Sequence, residues 1–212
     1  MQIGIVGAGR VGIGLGVAFA AAGHDVVYAS REPGRTNDAL PTDARVQSIP
    51  DVAASTDALV ITVPGVAVED LLATHGSALD GRLVLDATNY GGRDSAAGSN
   101  ALHQVPAFLA AAPNIRLYRA FCTLGYEHFS DPRRTGAQAD LFFCGPDTTD
   151  RATVEQLIRS LGLRAVWIGD LDTADVLDGA TRLWFALAFR PDIGRDVTFR
   201  ALGVDQQFGV PS

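Results

Sequence analysis

The stretch GAGRVG at residues 7–12 constrains the fold more than any other part of the chain. It directly follows a short apolar run, QIGIV, and opens an alanine-rich pattern that is typical of a helix. In a strand–turn–helix unit, Gly7 makes the tight turn, Gly9 lets the backbone approach a pyrophosphate, and Gly12 lets the helix pack on the strand. The spacing therefore predicts a dinucleotide-binding unit, with phosphates on the free N–H groups at the helix N-terminus.

Apolar runs further along the chain extend this unit into an α/β fold. After the first strand, further strands are predicted at DVVYAS (25–30), DALVITVP (57–64), RLVLDATN (82–89), IRLYRAF (115–121), ADLFFCG (139–145) and RAVWIG (164–169). Helices are predicted at 10–22, at about 66–74, between the last two strands, and from Leu171 onward. Runs this rich in Val, Ile and Leu suit strands that are buried on both faces of a parallel sheet. We predict a Rossmann-like, doubly wound, mainly parallel sheet over 1–170 and a small helical C-terminal region over 171–212.

The end of the second predicted strand bears on the choice of cofactor. Ser30 lies eighteen residues after Gly12, about where an NAD-binding fold places the acidic residue that binds the ribose 2′-OH. An acid would repel a 2′-phosphate, whereas the Ser30 hydroxyl and the guanidinium groups of Arg31 and Arg35 would bind it. The alternative is that Glu32 binds the ribose and Arg31 is solvated, but Glu32 lies past the strand end and precedes a proline. The sequence therefore predicts a preference for NADP(H) over NAD(H).

Composition excludes several classes of function. A net charge of −7 disfavours sequence-independent binding to nucleic acid. Cys122 and Cys144 are the only cysteines and lack metal-ligand spacing, so we expect neither a zinc site nor a disulfide framework, and a cytoplasmic location. The longest apolar stretches are broken by glycine and too short to span a bilayer, so no membrane association is expected. All 17 basic side chains are arginine, which excludes the lysine acid–base catalyst of 6-phosphogluconate-type dehydrogenases.

Several stretches together carry a family resemblance. GIVGAGRVG, ASR, DALVITVP and RLVLDATN resemble the NADP-binding domain of the NADPH-dependent reductases of coenzyme F-420, a deazaflavin. The similarity continues through YRAFCTLGYEHFSDP and DLFFCGPD, and it ends in LGLRAVWIGDLDTADVLDGATRLWFALAF. It thus covers nearly the whole chain in order. At Cys122 the chain departs from the family pattern, in which members carry Asn or His.

The resemblance implies a reaction and a set of binding residues. The reaction is hydride transfer between NADPH and F-420, for which no catalytic acid–base residue and no metal are expected. The implied cofactor contacts are Ala8, Gly9, Arg10 and Val11 at the pyrophosphate, Ser30, Arg31 and Arg35 at the 2′-phosphate, Pro64, Val68 and Asn89 along the cleft, and Thr123, Leu124 and Gly125 beside the nicotinamide. Cys122 and His128 are candidates for contact with the acceptor, and the alternative for Cys122 is a packing role.

Two other functions also fit the sequence, and the last helical pattern bears on the oligomeric state. The chain could instead be an NADPH-dependent reductase of another planar acceptor, such as a flavin, a quinone or a ferric chelate, or a non-catalytic module that senses NADP(H). The helical pattern over about 174–189, with Trp184 and Phe185, carries more apolar surface than a last helix covering one sheet needs. It predicts a homodimer, in which the C-terminal region completes either the acceptor cleft or the dimer interface.

Overall fold

The computed structural model describes residues 1–34, 37–90 and 101–203. The strands in this part of the chain are β1 (Gln2–Val6), β2 (Asp25–Ser30), β3 (Arg45–Ser48), β4 (Ala58–Ile61), β5 (Leu83–Asp86), β6 (Arg116–Arg119), β7 (Asp140–Phe143) and β8 (Arg164–Trp167). The helices are α1 (Arg10–Ala21), α2 (Ile49–Ser55), α3 (Val68–Leu79), α4 (Val105–Ala111), α5 (Glu127–Ser130), α6 (Thr149–Ser160) and α7 (Ala174–Ala188). No helix in the described ranges is long and apolar enough to cross a membrane.

The main sheet confirms the predicted Rossmann-like fold. Six parallel strands lie in the order β3-β2-β1-β4-β5-β6, which is the arrangement that binds dinucleotides where the strand order reverses. The strands β7 and β8 form a separate parallel pair. A single antiparallel bridge between Arg119 and Cys144, with N–O distances of 2.9 and 3.1 Å, attaches this pair to the end of β6. Because its six strands are parallel, the main sheet has all their carboxyl ends at one edge.

The alternation of side chains along the strands builds an apolar layer on each face of the main sheet. Ile3 and Ile5 of β1 belong to the layer that contains Phe19 of α1. Val6 of the same strand packs in the other layer, together with Ile61 of β4. Because successive side chains of a strand point to opposite faces, a sheet covered on both sides needs apolar residues at every position. This requirement explains the uninterrupted apolar runs of the central strands.

Four short elements, β3, α2, α4 and the four-residue α5, were not predicted from the sequence. The edge strand β3 has the sequence RVQS, which shows no apolar alternation, and it forms because residues 45–48 pair with residues 27–30 of β2. The seven-residue helix α2 follows at once, with Ser48 as the N-cap that accepts a hydrogen bond from the N–H of Asp51. The helix α4 is also only seven residues long. Elements this short depend on tertiary pairing and packing more than on local pattern.

The C-terminal region packs against the rest of the chain. Trp184 of α7 is only 2% exposed, and its Nε1 donates to the carbonyl of Val197 at 2.9 Å. The prediction that Trp184 adds to a surplus apolar surface is therefore wrong, because its ring is covered within the chain. Two other residues of α7, Val176 and Leu183, are 66% and 52% exposed. Phe185, the other residue on which the homodimer was predicted, is partly buried and packs between Trp184 and Phe189, with ring-centroid distances of 5.6 and 5.8 Å. The homodimer stays a prediction.

Candidate cofactor and acceptor site

The glycine turn between β1 and α1 has the geometry that its sequence predicts. Gly7 has a φ of +115°, and a Cβ there would lie 2.8 Å from Thr62 Oγ1. A Cβ on Gly12 would lie 1.9 Å from the carbonyl oxygen of Gly7, so the helix starts in direct contact with the turn. Thr62 Oγ1 donates to the carbonyls of Val6 and Gly7 at 3.1 and 2.8 Å. At Gly9, by contrast, a Cβ would have no atom within 4 Å. The backbone at Gly9 is thus open to a ligand.

The start of α1 can bind an anion. Gly9 is the N-cap and provides no side-chain hydrogen bond to the first turn, which also contains no acidic residue. The first N–H groups of a helix lack intrahelical partners and carry a partial positive charge. Of the residues predicted to line a pyrophosphate, Ala8 and Val11 are partly buried, and Arg10 is exposed. These positions suit a pyrophosphate that lies across the helix end.

A pocket of about 240 Å³ lies beside this turn, at the carboxyl ends of β1, β2 and β4. It is lined by Val6, Gly7, Ala8, Ala29, Ser30, Arg31, Ile49, Val63, Pro64, Ala67 and Leu71. The lining is largely apolar, with Ser30 and Arg31 as its polar part, which suits an adenosine that carries a phosphate on its ribose. Pro64 lines the pocket as expected. Val68, by contrast, is fully buried in the core and is not among the residues that line this pocket.

The hydroxyl of Ser30 is oriented by the turn that follows β2. Its Oγ accepts a hydrogen bond from the N–H of Glu32 at 3.0 Å, and the Ser30 O–H can donate to a phosphate oxygen. Arg31 is exposed beside the pocket. Arg35, the third predicted contact to the 2′-phosphate, lies outside the described residues. Ser30 and Arg31 thus remain the described groups that can bind a 2′-phosphate.

The other half of the cleft is formed by the segments that follow β5 and β6. The Asn89 side chain joins them: its Oδ1 accepts from Arg119 Nη2 at 2.9 Å, and its Nδ2 donates to the carbonyl of Cys122 at 3.3 Å. Thr123 is fully buried, and its Oγ1 has no hydrogen-bond partner among the described residues. Leu124 is 7% exposed. Asn89 is thus bonded to the turn that carries the predicted nicotinamide residues, and the side chains of Thr123 and Leu124 in that turn are buried.

The turn after β6 has an unusual backbone. Phe121 has a φ of +61°, a value that only glycine adopts readily. Its ring packs edge-to-face against Phe19 and Phe129, with centroid distances of 5.9 and 5.8 Å. A non-glycine residue in this region costs about 1–3 kcal/mol and persists where the surrounding packing enforces it. The aromatic contacts therefore help to hold the turn that carries Cys122 and Thr123.

Neither candidate for acceptor contact is accessible. Cys122 is 4% exposed, and burial raises the pKa of its thiol, so the sulfur is a poor nucleophile at neutral pH. His128 is fully buried, and its Nε2 lies 3.3 Å from the carbonyl oxygen of Arg195. The prediction that these side chains contact the acceptor is therefore not supported. Both side chains are buried, which for Cys122 agrees with a packing role.

Gly125 is buried beneath the last helix. A Cβ at this position would lie 2.5 Å from Glu127 Oε2 and 3.0 Å from the ring of Trp184. Arg195 holds Glu127 through two hydrogen bonds of 2.7 and 3.1 Å, and its guanidinium lies 4.9 Å from the Trp184 ring centroid. Gly125 therefore permits close packing of α7 and the segment after it. A large side chain here would disrupt that packing.

Sequence analysis missed a buried ionic cluster next to Asn89. Arg119 is fully buried, and its Nη1 and Nη2 lie 3.1 and 2.8 Å from the carboxylates of Asp86 and Asp178. Both acids are themselves nearly inaccessible. The signal was present, because each residue interrupts an apolar pattern: LVLD, LYRAF and VLDGA. A buried charge requires a partner, but local sequence does not indicate which one.

Comparison with known proteins agrees with this geometry. Residues 2–90 match the family described as "NADP oxidoreductase coenzyme F420-dependent". This segment belongs to that family. The family resemblance stated from the sequence is thereby confirmed for the segment that contains the glycine turn, Ser30, Arg31 and Asn89. The chain therefore carries an NADP-dependent oxidoreductase domain.

Solved structures extend the comparison to the fold of the whole chain. A proposed F-420-dependent NADP reductase from Arthrobacter sp. FB24 superposes with a TM-score of 0.81 at 23% identity, over 95% of this chain and 99% of that one. An imine reductase from Streptomyces aurantiacus gives 0.66 at 13% identity, over 89% and 62%. A reductive aminase from Aspergillus terreus, solved with NADPH, gives 0.61 at 22% identity, over 88% and 63%. The chain thus spans less than two thirds of the imine reductase and of the aminase.

These likenesses show that the fold is shared. At sequence identities this low they do not indicate the substrate. No match is found among proteins of curated function.

Proposed function

We propose that this protein transfers a hydride between NADPH and the deazaflavin coenzyme F-420. The observation that carries the proposal is the family membership of residues 2–90. The same segment contains the open backbone at Gly9 and the pocket with Ser30 and Arg31. In this proposal the adenosine half of NADPH lies over β2, its pyrophosphate over the start of α1, and its nicotinamide toward the ends of β5 and β6.

The chemistry of such a reaction would be supplied by the two bound cofactors: the nicotinamide would give a hydride to the deazaflavin ring, and the proton that completes the reduction would come from solvent. The protein's own residues bind, orient and exclude water. The first N–H groups of α1 hold the pyrophosphate, and Ser30 and Arg31 hold the 2′-phosphate. Asn89 and the turn from Cys122 to Gly125 form the wall beside the nicotinamide, where buried Leu124 excludes water.

The charges near Asn89 favour an acceptor that needs no proton from the protein. Reduction of an isolated ketone or of an unprotonated imine requires a proton donor within hydrogen-bond reach, whereas the delocalised ring of a reduced deazaflavin, flavin or quinone can take its proton from solvent. Among the described residues, the acids next to Asn89 are Asp86 and Asp178, and both are buried and ion-paired with Arg119. This arrangement disfavours imine reduction, although the imine reductase shares the fold. A flavin, a quinone or a ferric chelate would fit the same arrangement and remains the alternative.

A panel of acceptors tests the proposal. NADPH-bound protein is mixed in a stopped-flow instrument with F-420, FMN, a quinone, a ferric chelate or a cyclic imine. We expect the deazaflavin to be reduced at least about tenfold faster than any other acceptor, a difference of about 1.4 kcal/mol in barrier. Faster reduction of another acceptor would overturn the F-420 assignment. Tight NADPH binding with no turnover on any acceptor would instead favour the sensing module.

The preference for NADP(H) can be tested separately with Arg31→Ser. Loss of a hydrogen bond to a charged group costs about 1.5–3 kcal/mol, so NADPH binding should weaken by roughly tenfold to a hundredfold. NADH lacks the 2′-phosphate, and its affinity should hardly change. Fluorescence titration with each cofactor measures both values. Arg10→Ser is the control, because a residue at the pyrophosphate should affect both cofactors alike. If Arg31→Ser lowered the affinities for NADPH and NADH equally, Arg31 would not be the residue that binds the 2′-phosphate.

A further inference from the structure

We propose that Arg119 is a positioning residue, which holds Asn89 and the turn after β6 in place for the nicotinamide half of the cofactor. Arg119 is fully buried and cannot touch the cofactor itself. It would act through Asn89, the neighbouring side chain at the edge of the cleft. The inference rests on the proposed function in one respect, namely that NADP(H) occupies this cleft.

The guanidinium of Arg119 joins three segments of the chain. Nη1 donates to Asp86 Oδ2 at the end of β5 and to the carbonyl of Thr88 at 2.7 Å. Nη2 donates to Asn89 Oδ1 and to Asp178 Oδ1 of α7. The guanidinium is a planar, forked donor that reaches all four oxygens. A lysine ammonium, which acts as a point charge, cannot form the same set of bonds. The arrangement therefore fixes the relative positions of β5, β6 and α7.

The connection continues from Arg119 to the turn that borders the nicotinamide. Asn89 accepts from Arg119 and donates to the carbonyl of Cys122. Cys122 directly follows Phe121, the residue with a φ of +61°. Without the bond from Arg119, the Asn89 amide would lose one of its two fixed partners. Both Asn89 and the turn would then be able to take other conformations.

Asp178 fastens a further part of the cleft to the same cluster. Its Oδ2 accepts from the N–H of Leu102 at 2.6 Å and from the N–H of His103 at 3.1 Å. The carbonyl of Leu102 in turn accepts from the N–H of Tyr90 at 2.9 Å. The Asp178 carboxylate thus holds Leu102 and His103 against α7, and Tyr90 is linked to it through Leu102. The cluster organises the β5–β6 end of the cleft as a unit.

The adenosine end of the cleft does not share these contacts. None of the residues that line the 240 Å³ pocket is a hydrogen-bond partner of Arg119 in the described part of the chain. A change at Arg119 should therefore weaken the binding of the nicotinamide half and leave the binding of the adenosine half almost unchanged. A purely structural role would weaken the binding of both halves together.

The test compares NADPH with 2′,5′-ADP, a fragment that fills only the adenosine end. In Arg119→Lys, which keeps a cation between the two aspartates, we expect NADPH to bind about tenfold more weakly and 2′,5′-ADP to change less than about twofold. Calorimetric titration of both ligands gives the ratio. In an Asn89→Ala background, the additional effect of Arg119→Lys on NADPH should disappear, because residues that act through one another are not additive.

Arg164→Lys is the matched control. Arg164 also forms a largely buried, two-point pair with an aspartate, Asp140, at 2.6 and 2.8 Å, but it lies in β8. Its substitution should leave the ratio of the two affinities unchanged. If Arg119→Lys does not fold, Asp178→Asn replaces it in the same comparison, and this variant should weaken the binding of NADPH but not that of 2′,5′-ADP.

The inference would be overturned if Arg119→Lys lowered the affinities for NADPH and 2′,5′-ADP equally. It would also be overturned if the effects of Arg119→Lys and Asn89→Ala on NADPH affinity were additive. The measurement uses no acceptor, so its result is separate from that of the acceptor panel. A protein that binds NADPH with the expected shift but does not reduce F-420 would refute the proposed reaction alone. An unmodified protein that does not bind NADPH would refute both.

Discussion

Replacing Gly12 with alanine is expected to destabilise the dinucleotide-binding unit and to abolish NADPH binding. The new Cβ would lie 1.9 Å from the Gly7 carbonyl oxygen and 2.5 Å from Thr62 Oγ1. The closest of these atoms belongs to the backbone of the phosphate-binding turn, so α1 would have to move away from it. Such overpacking costs about 1–3 kcal/mol or more. Urea denaturation measures the loss of stability, and NADPH titration measures the loss of binding.

Gly9→Ala is the matched variant, and it should separate folding from binding. Its Cβ would meet no atom within 4 Å, and Gly9 has a φ of −85° that any residue adopts. The fold should survive with a loss of about 1 kcal/mol, because alanine is a poorer N-cap than glycine. NADPH affinity should nevertheless fall at least about tenfold, since the methyl group would occupy the approach of the pyrophosphate. Normal NADPH binding in this variant would refute the placement of the pyrophosphate.

Asp178→Ala is expected to destabilise the protein strongly. It would remove one of the two carboxylates from the buried Arg119 and the acceptor from the N–H groups of Leu102 and His103. Asp86 would still neutralise Arg119, but Arg119 Nη2 and the two backbone N–H groups would lose this acceptor. Each buried donor left without an acceptor costs about 1–3 kcal/mol, so we expect a loss of about 3 kcal/mol or more. Urea denaturation of the unmodified and variant proteins measures the difference in free energy of unfolding.

Asp175→Ala is the control for this experiment. Asp175 lies one helical turn earlier in α7 and pairs with His103, but its side chain is 83% exposed. Exposed ion pairs contribute little to stability, so this variant should unfold almost like the unmodified protein. If Asp175→Ala and Asp178→Ala lowered the free energy of unfolding by similar amounts, the Arg119 cluster would not be what stabilises the packing of α7.

Local sequence was sufficient for the phosphate-binding end of the cleft. Gly7, Gly9 and Gly12 meet requirements that act within one turn and one helix start, so their spacing predicts both the turn and its open backbone. Ser30 follows from the length of the unit, because the second strand of a βαβ unit ends at a nearly constant distance from the turn. The central strands were also predictable, because a strand covered on both faces must be apolar throughout.

The nicotinamide end was decided by tertiary structure. Asp86, Arg119 and Asp178 are far apart in sequence, and each by itself is only a charge in an apolar run. Which carboxylate meets which guanidinium depends on how β5, β6 and α7 are packed together. The burial of His128 and Trp184 has the same origin, since the segment after α7 returns across them. Sequence thus determined the elements whose requirements are local, and tertiary structure determined the pairing of the buried charges, whose desolvation can be offset only by partners from distant segments.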